Sequence, residues 1–394
     1  MQRLRILPAL TLIGLSASLL VAAGREMAAT PGDTLTFDLR TGGDIEVTGW
    51  NRDTAVITPE ITGRDADRIT VDIAPTSSGI KVATRSSGHN VSASVKFKAQ
   101  VPRNYSVDIR TMGGDVQLDQ LEGDFEGETM GGDIVLKELV GEVDLKTMGG
   151  DVSVRDSRLD GNVHTMGGDV HLDTVQGNLD ASTMGGDVIQ RNVRAHEGRA
   201  VKVRSHGGDV AVDTAPAGAD VHTMGGDITV QSADQFLKAK TMGGDIVVRR
   251  ATGEADLHTM GGDIEVDSFD GEMRAVTMGG DVEVHVDSSS AGSGHDIDIE
   301  SMGGDLTLHL PRNFSARFEI EVIKLKKRPD DAGITTDLAI QVNEPATWTP
   351  RGTRTNGHKY GSDYKVLTGT GSVNGGQHLV RLKTINGMVR IKTN

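Results

Sequence analysis

Eleven aspartates in this sequence each follow a pair of glycines: Asp115, Asp133, Asp151, Asp169, Asp187, Asp209, Asp227, Asp245, Asp263, Asp281 and Asp305. A carboxylate repeated at one fixed place can do two kinds of chemistry. It can accept the N–H groups of a turn, or it can gather hard cations such as calcium between neighbouring turns. Stacked about 4.8 Å apart, like charges repel by roughly 0.9 kcal/mol per pair even at the dielectric constant of water. An uncompensated column would therefore oppose its own assembly. Turn capping is the favoured reading. Calcium is the alternative, by analogy with nonapeptide solenoids, but those space Gly and Asp differently and here the second half-repeat has no regular Asp.

Three other columns carry reactive or polar groups. A hydroxyl begins every repeat (Thr, or Ser at 205 and 301), and strand parity points it inward, to bond backbone at a corner or form a ladder. That orientation excludes an exposed ice-binding array. Ten of the 14 methionines occupy the next position, where corner packing is expected. A copper site is the weaker alternative, since no Met-x-x-Met cluster occurs and His206 alone interrupts the column. Trp348, Tyr360 and Tyr364 fall in one Pro- and Gly-rich loop and are a candidate sugar-stacking patch. There is no cysteine, which excludes disulfides and thiolate sites. No HExxH, nucleophile elbow or phosphate loop occurs, so no catalytic residues are assigned.

The element that positions these columns is the repeat itself. Thr-Met-Gly-Gly-Asp, with variants at Ser205 and Ser301, recurs from Thr111 to Asp305 at intervals of 18 residues, broken once by 22 and once by 24. Counting the Thr as zero, apolar residues recur at offsets 1, 5, 7, 10, 14 and 16. The 5/7 and 14/16 pairs alternate with polar residues, as in half-buried strands. Each unit is thus two strand-plus-turn halves. The fold class this predicts is all-β: a flattened, single-stranded parallel β-solenoid with two sheets and 18 residues per coil. Right-handed winding follows from the general preference of parallel crossovers. Eleven coils make a rod roughly 50 Å long. The extra residues near 190–199 and 288–294 read as loops extruded from the stack. The Gly pairs are expected to supply the positive φ of a sharp corner.

Composition agrees. Gly numbers 51 of 394 residues, while Phe, Trp and Tyr together make only 3%, which suits a thin core rather than a conventional globule. The net charge of −15 disfavours nucleic acid as a partner. It is unevenly placed: residues 24–310 carry −24 and residues 311–394 carry +7. A basic tail on an acidic rod is either a solvated cap or a contact for anionic polysaccharide or lipid.

Residues 1–23 read as a signal peptide, with Arg3 and Arg5 before an apolar run that ends in Val21-Ala22-Ala23. Cleavage is expected after Ala23, with Ala29 as a later site and an uncleaved anchor as the rival. After cleavage no membrane span is expected, and the protein is exported, to the periplasm or the cell surface. Residues 30–110 form an irregular β segment that includes Thr41-Gly-Gly-Asp44, and 311–394 form a second one that includes Thr384-Ile-Asn-Gly387. Val101-Pro-Arg-Asn-Tyr-Ser106 returns as Leu310-Pro-Arg-Asn-Phe-Ser315. Capping of the array at 111–310 is the default role of both flanks.

Gly43-Asp-Ile-Glu-Val-Thr-Gly-Trp50, the Val101-Pro102 phrase, the serial T-x-G-G-D-[IV] strands and Thr384-Ile-Asn-Gly-Met-Val-Arg-Ile391 together resemble the bacterial putative-adhesin family of β-strand-repeat proteins. The resemblance spans roughly residues 33–393. It implies an exported or envelope β-solenoid and brings no catalytic residues. The function expected is a non-enzymatic surface or scaffolding module whose partner is an envelope component, an anionic polysaccharide or another protein. The alternatives are a calcium-stabilised solenoid using the Asp column and, less favoured, a polysaccharide-active β-helix enzyme.

Overall fold

In a computed structural model the described residues are 19–21, 24–88, 91–195, 199–287, 295–327, 331–355 and 358–393. Among them the chain is all-β, with one short 3₁₀ turn at Ala66–Arg68 and no α-helix. Two ladders of parallel strands run along the array. In the first, Val116, Ile134, Val152, Val170, Val188, Val210, Ile228, Ile246, Ile264, Val282 and Leu306 are successive register partners. In the second, Leu145, Val163, Ala181, Val203, Val221, Ala239, Leu257, Ala275 and Ile299 follow one another in the same way. One repeat is one coil, and the expected solenoid is the fold.

Strand alternation sets what is inside. Offsets 5, 7, 14 and 16 form the core, so in the coil beginning at Thr129 Ile134, Leu136, Val143 and Leu145 are all buried. Offset 10 also points inward, as at Leu139, Val175 and Phe269. The narrow interior takes Val, Ile, Leu and Ala; most buried rings lie in the flanks, as with Tyr105, Phe37, Phe97, Phe318 and Tyr364. Flat parallel ladders with few rings suit close stacking, since each strand is covered on one face and paired along both edges.

The insertions leave the register intact. Val188 pairs with Val210 across the 22-residue interval, so the extra residues lie between Arg191 and Val201. The loop expected at 288–294 lies outside the described residues, as does the expected signal segment apart from Leu19–Val21. That short strand pairs antiparallel with Glu60–Thr62.

Both ends of the chain contribute an additional coil. Thr34–Leu39 and Asp44–Trp50 lie directly beside the first array strands, pairing Leu35 with Val107 and Ile45 with Val116. At the other end the chain leaves the array at Leu310, forms Ala316–Leu325, and returns. His378–Ile385 then inserts between Ile297–Ser301 and Ala316–Leu325, parallel to both. Met388–Thr393 lies on Leu306–Leu310. The parallel growth stops at antiparallel partners, Thr54–Gly63 and Ile69–Thr76, at one end; at the other, antiparallel Tyr364–Val373 closes the second ladder and the short parallel strand Gly333–Thr336 closes the first. Such partners cover edges that would otherwise template further strands.

Candidate functional site

The Asp column forms a continuous hydrogen-bonded ladder. Each Oδ1 accepts the backbone N–H of the Asp in the next coil, from Asp44 through all eleven array residues, at 2.7–3.1 Å. The last acceptor, Asp305, takes the N–H of Met388 at 2.8 Å, and its other oxygen meets Arg390 at 2.7 Å. An ionised acceptor makes these bonds stronger than neutral ones. The carboxylates therefore have a structural duty at the corner.

The hydroxyl column forms a second ladder beside it. Each Thr or Ser Oγ donates to the carbonyl of the second Gly in the preceding coil, from Thr129 to Ser301 and then Thr384, at 2.7–3.2 Å. Several also accept an N–H from their own Gly pair, as Thr277 does from Gly280 at 3.1 Å. The array hydroxyl residues are all buried.

Two expectations about the corner need correction. Of the paired glycines in the array, only Gly113, Gly114 and Gly132 have φ in the left-handed region. From Gly150 onward the second Gly is required by close approach: a Cβ at Gly168, Gly226 or Gly280 would overlap the carbonyl of the equivalent Gly one coil back. Left-handed φ is found instead at the opposite corner, on Gln120, Glu138, Asp156, Thr174 and Asn192.

The methionines do not pack the corner. Met112, Met130, Met148, Met166, Met184, Met224, Met242, Met260, Met278 and Met302 are 41–61% exposed. Parity explains this: offsets 14, 16 and the following Thr all face inward, so the residue after the Thr faces out. The result is a thioether edge along the rod, interrupted at His206. Ten stacked apolar side chains on one exposed edge are uncommon in a soluble fold.

In the tail, Tyr364 is buried and Tyr360 packs on it with ring centroids 4.7 Å apart. Burial raises the Tyr360 phenol. Lys365 lies over Trp348 at 5.1 Å. A sugar contact in this loop would thus fall to the half-exposed Trp348 and Tyr360. A groove of about 600 Å³ lies on the second ladder between Lys240 and Arg381; its lining includes Asp256, His258, Glu272 and Arg274. Lys240 and Asp256 are paired there at 2.9 Å.

One cluster went unnoticed in the sequence. His285 and His309 are register partners on the outer face of the first ladder, with rings stacked 3.9 Å apart. Both Nε2 atoms approach Glu283 Oε1, at 3.4 and 3.1 Å. Burial, and then the neighbouring His285, lower the His309 pKa. The signal was available: both histidines sit at offset 8, a column otherwise of mixed charge that ends in Asp267 before the 24-residue interval.

The fold and ladders define a parallel β-solenoid built on one repeated corner. Residues 32–242 match the family described as Toastrack DUF4097, and the chain belongs to that family. No curated protein matches the sequence. Among solved structures, the chain is similar to a putative cell adhesion protein from Clostridium sporogenes, at 8% identity and TM-score 0.18, covering 96% of this chain and 100% of that one. It is also similar to a putative adhesin from Parabacteroides distasonis, at 14% identity and TM-score 0.26, covering 64% and 98%. A putative lipid binding protein from the same species matches at 12% identity and TM-score 0.22, covering 74% and 96%. At these identities and scores the three carry no activity over to this chain. No helix of the described residues is long and apolar enough to cross a membrane.

Proposed function

We propose that this Toastrack-family solenoid is an exported, non-enzymatic surface or scaffolding module of the cell envelope that recognises its partner along the rod. The observation that carries the reading is the exposed methionine edge, which presents an apolar strip over ten coils. Methionine is flexible and polarisable, and it recurs on surfaces that adapt to other proteins. Of the expected partners, this favours another protein over an anionic polysaccharide, for which the basic tail is the natural contact. The two backbone-anchored ladders supply a rigid support for such a strip, since each coil is tied to the next at the same corner.

The calcium reading draws less support, because every Asp Oδ1 in the column already accepts an amide N–H. The test pairs localisation with surface substitution. Cell fractionation should place the protein outside the cytoplasm. Met166→Lys together with Met184→Lys should leave the circular dichroism spectrum unchanged and reduce binding of the purified chain to envelope fractions at least tenfold. Unchanged binding would remove the methionine edge from the proposal, and a cytoplasmic location would overturn the reading as a whole.

A further inference from the structure

We propose that Glu283, His285 and His309 form a binding site for a late first-row divalent cation, zinc being the working example. Val282–Val286 and Leu306–Leu310 are adjacent strands of the first ladder. Glu283 and His285 are two apart on one strand and so share a face, and His309 is the register partner of His285 on the next. Two neighbours along a strand and one across it place three ligating side chains on one patch.

The distances match a metal's needs. The ligand atoms of the three side chains all lie within 4.8 Å of one another, the only such group among the described residues. Zinc bonds to imidazole nitrogen and carboxylate oxygen are about 2.0–2.2 Å, so the edge of a tetrahedral ligand set is about 3.3–3.5 Å. The Nε2-to-Oε1 separations of 3.4 and 3.1 Å are close to that edge. The rings stack nearly parallel, at 6°, so binding requires them to tilt. Histidine χ2 is a broad torsion, and a modest turn of either ring brings its lone pair toward the shared point. Two imidazoles and a carboxylate select zinc, copper or nickel over calcium and magnesium, which take all-oxygen sets. The fourth position stays open to water or to a group from another molecule.

The surroundings are mixed in sign. Lys392 is the register partner of His309 on its far side and opposes a cation. Asp267 and Glu265 lie one coil back, both bound to Arg249. Nearby charge thus largely cancels, leaving direct ligation to decide affinity.

Isothermal titration of the tag-free full chain with zinc chloride tests the site, with calcium chloride as the hard-cation comparison. The expected result is one zinc per chain at micromolar affinity or tighter, unmatched by calcium at this site. His285→Ala and Glu283→Gln should each weaken zinc binding at least tenfold, while His258→Ala on the other ladder should not. Glu283 is exposed and His285 half-buried on the outer face, outside the core, so these variants should keep the parent melting temperature. Cobalt added to the parent provides an independent reading, with the intense visible absorption of a four-coordinate nitrogen–oxygen site. Absence of stoichiometric zinc binding, or its survival in a His285→Ala, His309→Ala double variant, overturns the assignment.

Discussion

Asp151 Oδ1 accepts the backbone N–H of Asp169 at 2.8 Å, one coil further along. The same pairing joins every coil to its neighbour, and it separates the two uses of the carboxylate. If the oxygen matters as an acceptor, the weaker bond of a neutral acceptor is offset by the repulsion it removes along the column. Asp151→Asn should change stability by less than about 0.5 kcal/mol, since the amide oxygen can accept and like-charge repulsion along the column falls. Asp151→Ala should cost about 1–2 kcal/mol, the usual loss when a capping acceptor is removed. Urea denaturation of the two variants checks this, and calcium at millimolar concentration should leave the parent melting temperature unmoved.

The hydroxyl ladder predicts a different ranking. Thr223 is fully buried and its Oγ1 donates to the Gly208 carbonyl at 2.8 Å. Thr223→Ser keeps the bond and loses one buried methyl, at a cost of about 1 kcal/mol. Thr223→Val keeps the shape but takes the donor from a partly buried carbonyl, which costs about 1–3 kcal/mol. The natural Ser at 205 and 301 preserves the hydroxyl in the same way. Thermal melts should place Val below Ser.

The paired glycines should differ sharply in tolerance. A Cβ at Gly168 would overlap the Gly150 carbonyl, whereas at Gly167 its nearest neighbour is the Gly149 carbonyl at 3.4 Å. Gly167→Ala should cost under about 1 kcal/mol, and Gly168→Ala about 3 kcal/mol or more, because it must push two coils apart. Comparable destabilisation of both would mean that backbone conformation, rather than coil-to-coil approach, fixes the second glycine.

Much of the fold was legible because the repeat period and strand parity are written directly in the residue order. Offsets 5, 7, 14 and 16 specified the core, and inward parity specified the buried Thr. Parity also implied that Met112 and its equivalents face out, but their apolar character argued the other way, and parity won. The glycine requirement was hidden because it depends on the carbonyl of another coil, 18 residues away and not visible in local sequence. The return of Thr384 to stack on Ser301 was hidden for a related reason: the intervening excursion destroys the period that reveals neighbours elsewhere. His285 and His309 meet across the 24-residue interval, where the same loss of period conceals the pairing.

Tyr105 gives the structure a testable response to alkali. Its side chain is fully buried in the Val101–Ser106 entry segment, and its hydroxyl has no hydrogen-bond partner. Burial, and then the nearby Asp33 carboxylate, push the phenol up to about 12 from its ordinary 10. The fold therefore prefers the neutral phenol. The stability this group confers is complete below pH 10, where the phenol is neutral both folded and unfolded. It is lost as pH rises toward about 12, because the unfolded chain releases its proton first. Urea denaturation should show parent stability falling across that window more steeply than that of Tyr105→Phe, which has no proton to lose there. Near neutral pH the same variant should match the parent or exceed it by about 1 kcal/mol, since it removes a buried hydroxyl without a partner. Parallel pH profiles for the two proteins would mean that Tyr105 ionises freely in the folded state, and that the entry segment is open to water.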